Sequence, residues 1–68
     1  MNTKKLKTFI ENNFPQPNKY DITSEENDKA VILLDYGKAE PKMQITVEQT
    51  YDAYNLLRLT DTKLIYNR

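Results

Sequence analysis

Ala30-Val31-Ile32-Leu33-Leu34-Asp35-Tyr36 is a short, β-rich apolar run, bounded by Asp28-Lys29 before it and Gly37 after it. A run of this length and composition reads as a buried strand. Five residues further on, Lys42-Met43-Gln44-Ile45-Thr46-Val47-Glu48 alternates strictly. Met43, Ile45 and Val47 fall on one face and the polar residues on the other, the period-2 signature of a half-buried strand. The connector Gly37-Lys38-Ala39-Glu40-Pro41 has a length suited to an antiparallel hairpin. Upstream, Tyr20-Asp21-Ile22-Thr23 predicts a shorter strand pairing back onto residues 30–34 across an acidic loop.

Further toward the N-terminus the period changes. Leu6, Phe9, Ile10 and Phe14 draw one apolar stripe at helical spacing. Asn2 or Thr3 is placed to cap the start. Pro15 biases Phe14 away from the helical region, so the helix is expected to end near Asn13. Pro15-Gln16-Pro17-Asn18 then forms a stiff connector.

Downstream of Val47 two readings compete. In the favoured one a helix spans 47–58, with Thr46 as cap, Gln49 completing a capping box, and a last strand at 63–66. Tyr51, Tyr54 and Arg58 would then line up on one helical face. In the alternative the C-terminus is a β-hairpin centred on Thr60-Asp61-Thr62, pairing Leu57 and Leu59 with Leu64 and Tyr66. Either way residues 1–68 form a single α+β domain: an N-terminal amphipathic helix packed on a small antiparallel sheet of 3–4 strands.

The best functional clue lies in the first strand quoted. Val31 and Leu33 point to one side of it, Ile32 and Leu34 to the other. A two-layer domain covers one side of its sheet, so the second apolar face must meet the C-terminal helix, a second copy or another protein. Five Tyr among 68 residues add to the hint, because Tyr anchors contacts through an apolar body and a polar tip. Val31, Leu33, Tyr51, Tyr54 and Arg58 are therefore the candidate partner-binding residues.

Composition argues against chemistry. The chain has no His, no Cys and no Trp, one Ser (Ser24) and one Gly (Gly37). It thus lacks the side chain that titrates near neutrality, the strongest ready nucleophile and the soft metal ligands. Glu40, Glu48, Asp52 and Asp35 are scattered, with nothing to hold a carboxylate pair at a catalytic separation. No catalytic residue, cofactor or metal is expected. Asp21, Glu25, Glu26 and Asp28 are acidic but lack the ordered spacing and the Gly of a calcium loop, and read as a solvated turn.

Ten basic and ten acidic side chains cancel, which advertises no polyanion partner. The distribution is uneven: residues 1–20 carry Lys4, Lys5, Lys7 and Lys19 against Glu11, a net of +3. That edge is the candidate contact in a second reading, a nucleic-acid-binding accessory protein. A structural homo-oligomer is a third. With 38% hydrophobic residues the core is thin, and without Cys or His it has no disulfide or zinc to reinforce it. The basic start leads into an amphipathic pattern rather than an apolar h-region, and no run is long enough to span a membrane, so a cytoplasmic protein is expected. The Lys, Asn and Ile bias suits AT-rich coding sequence, such as that of phages and mobile elements. The leading expectation is a small protein-binding module that works by occupying a partner's surface, as inhibitor, adaptor or regulator.

Overall fold

A computed structural model describes residues 2–17, 19–37, 41–50 and 56–66. One helix, α1 (Thr3–Asn13), precedes four strands: β1 (Lys19–Glu25), β2 (Lys29–Asp35), β3 (Lys42–Gln49) and β4 (Leu57–Ile65). The strands pair in chain order, each antiparallel to the next, so the sheet is a simple meander.

The helix is set by its ends and by its stripe. The Asn2 side-chain oxygen accepts from the backbone N–H groups of Lys4 at 2.9 Å and Lys5 at 3.2 Å. Those are two of the donors a helix start leaves without an internal partner. At the other end Phe14 is extended, with φ −132° and ψ 148°, as a residue before proline must be. An 11-residue helix is too short to persist alone in water. Its stability comes from Leu6 and Ile10, both fully buried against the sheet. Burial of each side chain contributes roughly 1.5–3 kcal/mol. Replacing Asn2 by Ala is expected to cost about 1 kcal/mol in a urea titration, by orphaning the two capped donors.

Beneath the helix, Ala30, Ile32 and Leu34 of β2 and Ile45 and Val47 of β3 complete the core. Register aligns them in rows: Ile22, Ile32 and Ile45 lie side by side, as do Tyr20, Leu34 and Met43. Tyr36 donates its hydroxyl to the Pro15 carbonyl at 2.8 Å, tying the exit of α1 to the end of β2. Gly37 follows at φ 112°, a conformation that disfavours any Cβ, and its N–H is held by the Asp35 carboxylate at 2.9 Å. Among the described residues no polar side chain is buried.

Both edge strands carry a β-bulge, and both bulges are built the same way. On β1 the register shifts between Ile22 and Ser24, so Thr23 is the extra residue; its hydroxyl donates to the Val31 carbonyl at 3.2 Å. On β4 the register shifts opposite Thr46 and Val47, so Thr60 is extra; its hydroxyl donates to the Thr46 carbonyl at 3.3 Å. A bulge inserts one residue without losing the pairing on either side.

The C-terminal third corrects the favoured expectation. Residues 47–49 belong to β3 and residues 57–58 to β4, so the described part of 47–58 is strand and not helix. Thr46, read as a helix cap, sits within β3 opposite Asp61. The alternative hairpin does not form either: Leu57 and Leu59 do not pair with Leu64 and Tyr66 but lie in one strand with Leu64, and the hairpin observed is a different one. Its arms are β3 and β4, closed by Thr50 and Leu56, whose backbone groups bond at 2.8 Å. Thr60-Asp61-Thr62, expected at the tip, runs through the middle of β4, and 63–66 is the end of that strand and the residue after it. The physical reason is the bulge. Leu57 and Leu59 are odd-numbered and Thr62 and Leu64 even, so an unbroken alternation would send them to opposite faces. Thr60 absorbs the mismatch, and all four share the face of Met43, Ile45 and Val47.

Candidate functional site

The sheet has two unlike faces. One carries α1 and the core. Over the other no helix or strand lies among the described residues. Its centre is Val31 and Leu33, both half-buried by their neighbours alone. Val31 lies between Ser24 and Thr46, with Asp61 beyond on β4; Leu33 lies between Asp21 and Gln44, with Lys63 beyond. Toward one end Glu48 separates Lys29 from Arg58; toward the other stand Lys19 beside Asp35 and Lys42 beside Ile65. An apolar centre is thus framed by charges of both signs on the outer strands. The face therefore has a small apolar centre of two half-buried residues inside a polar rim.

Three of the five residues singled out as partner contacts meet here. Val31 and Leu33 form the centre, and Arg58 stands on the rim of the same face, not on a helix. Tyr51 and Tyr54 lie outside the described residues. The four lysines of the second reading are less united. Lys4 and Lys7 are exposed and Lys5 is half-buried on α1. Lys7 and Lys19 line one cleft of about 420 Å³, but Glu11, Gln16 and Pro17 line it too, so the cleft is not of a single sign. Asp21 faces the open side of β1, away from Glu26 and Asp28 at the β1–β2 turn, so the acidic run does not close into one cage. No group of three or more acidic side chains able to hold a metal ion occurs among the described residues. No helix among them is long and apolar enough to cross a membrane.

A second surface is absent from the sequence reading. On the helix side, Leu57 is the β4 residue that packs against the core among those described. Leu59 is 41% exposed and Leu64 50%, though their cross-strand neighbours Val47 and Met43 belong to the core. Leu56 and Tyr66, just outside the strand ends, are 58% and 66% exposed. Beside Leu64 a groove of about 400 Å³ is lined by Pro15, Tyr36, Pro41 and Met43. Comparison of the chain with protein-family models, curated proteins and solved structures finds no match.

Proposed function

We propose that the chain is a small protein-binding module whose contact surface is the sheet face opposite α1. The observation that carries this reading is β2 itself: apolar on both faces, with a helix over one. Leu and Val at the centre of a polar face lose hydration when a partner closes over them. The charged rim sets orientation and rejects wrong partners more than it adds affinity. Such a protein acts by occupancy, as an inhibitor, adaptor or accessory regulator. The absence of His and Cys from the sequence supports occupancy over chemistry.

A photo-reactive residue at position 33 is expected to cross-link a protein of the source cell that the same probe at Asn12, on the exposed back of α1, does not touch. Leu33→Arg should lower capture of that protein by about tenfold, equivalent to about 1.4 kcal/mol, while leaving the circular dichroism spectrum unchanged. Identical products from positions 33 and 12, or capture indifferent to Leu33→Arg, would remove the reading.

A further inference from the structure

We infer that two copies of this chain join edge to edge through β4, antiparallel about a twofold axis at Thr62, making one continuous sheet from two four-stranded ones. β4 is hydrogen-bonded to β3 on one side and ends the sheet on the other. A sheet edge offers a row of backbone donors and acceptors, and proteins that must stay single blunt it. Both edges carry one bulge, but their helix-side residues differ in burial. On β1 the helix-side residues Tyr20 and Ile22 pack into the core beneath α1. On β4 only Leu57 of the helix-side residues packs against the core, while Leu59, Thr62 and Leu64 carry no charge and are exposed. The Thr60 bulge interrupts only the first half of β4, leaving 61–65 regular.

The pattern of charges then selects the register. Antiparallel edge pairing of identical strands has its axis normal to the sheet, so each face stays on its own side and one residue pairs with itself. An axis at Asp61 sets Asp61 against Asp61, and an axis at Lys63 sets Lys63 against Lys63; like charges directly opposite are destabilising. An axis at Leu64 opposes no charges at all. An axis at Thr62 puts Asp61 of each copy opposite Lys63 of the other, twice, and Thr62 opposite Thr62, both favourable cross-strand pairs. In this arrangement both α1 helices lie on one side, and Leu59 and Leu64 of the two copies meet between them. The two open faces lie together on the other side, so the surface around Leu33 is presented twice.

The inference stands apart from the protein-binding reading, because neither Leu33 nor Val31 takes part in the contact. Sedimentation equilibrium of the wild-type chain should show a monomer–dimer equilibrium. Asp61→Lys should weaken the dimer by about tenfold or more, and Asp61→Lys combined with Lys63→Asp should restore it. The chain has no Cys, so Thr62→Cys introduces a lone thiol. On oxidation it should form a disulfide-linked dimer rapidly, since residues directly opposite in a ladder have Cα atoms within disulfide range; Asn12→Cys should not. The cross-link keeps the test independent of whether Asp61→Lys folds. A monomer at millimolar concentration overturns the inference, as does a dimer insensitive to both charge substitutions. Equal oxidation at positions 62 and 12 overturns it, and so does an open-ended series of larger oligomers, which would indicate β4 pairing with β1 of the next copy.

Discussion

Ile32→Ala is expected to remove about 3–4 kcal/mol of stability, the usual cost of cutting a large side chain from a tightly closed core. Ile32 is fully buried, with Ile22 and Ile45 beside it on the two flanking strands. It stands at the middle of the sheet, where neither the helix nor a neighbouring strand can slide in to fill the space. A chain of 68 residues has a total stability of only about 3–10 kcal/mol by the usual per-residue range, so this one truncation removes from about a third of it to all of it. The companion variant Val31→Ala makes the comparison informative. Val31 is the next residue along β2 but faces the open side, half-buried. Its truncation should cost about 1 kcal/mol or less, since what is removed was already near water. Urea titrations of the two variants followed by circular dichroism measure both. Equal losses would mean that the open face is as closed as the core, and the proposed contact surface would go with it.

Deletion of Thr60 and Asp61 together is expected to cost about 2–3 kcal/mol, lowering the melting temperature by about 8–24 °C for a domain of this size. Leu59 would then be followed directly by Thr62, which would stand opposite Thr46 instead of Ile45, one rung out of phase. Either Leu57 and Leu59 turn to the open face or Thr62 and Leu64 do, because a one-residue slip carries a strand's side chains to the other side. Leu57, which packs against the core, is the larger loss in the first case; Leu64, beside Met43 and the groove, in the second. Thr60→Ala separates register from hydrogen bonding. It keeps the bulge and removes only the hydroxyl that bonds the Thr46 carbonyl at 3.3 Å, a partly solvated contact whose loss should cost about 0.5–1 kcal/mol. Deletion of Thr60 alone closes the alternation, keeps all four residues on the helix side and should cost no more than about 1 kcal/mol; a double deletion no more harmful than that would show that pairing with β3 does not set which face the leucines occupy.

The two surfaces have different physical origins. The open face is apolar at its centre because β2 is apolar throughout, a composition usual in strands covered on both sides. The β4 strip is exposed because Leu59 and Leu64 stay at the edge of the core that Leu57 joins. Its bare leucines lie where a second sheet edge could meet them, whereas Val31 and Leu33 sit one strand in from β1 and are reached only from above. A dimer through β4 and a partner on the open face are therefore compatible.

Where the chain's own periodicity was unbroken, the elements could be read in advance. Leu6, Phe9, Ile10 and Phe14 repeat at helical spacing and end at a proline, and α1 stops at Asn13 for that reason. Met43, Ile45 and Val47 alternate, Ala30–Asp35 is a bounded β-rich run, and β1 to β3 formed with the expected pairing. Val31 and Leu33 were legible as a second face because alternation alone separates them from Ile32 and Leu34. The residues after Gln49 were not legible. Two leucines on odd positions and two apolar residues on even ones look like two elements with a turn between them, and no local rule says that a threonine in the middle can be skipped. Pairing with β3 decided that, since only there does Leu59 find Val47 and Leu64 find Met43 while Thr60 bonds across to Thr46. Which apolar residues remained uncovered was likewise a matter of tertiary packing, with Leu57 against the core and Leu59 and Leu64 exposed. Local pattern specifies an element when its period survives; a bulge changes the period, and then the neighbouring strand carries the missing information.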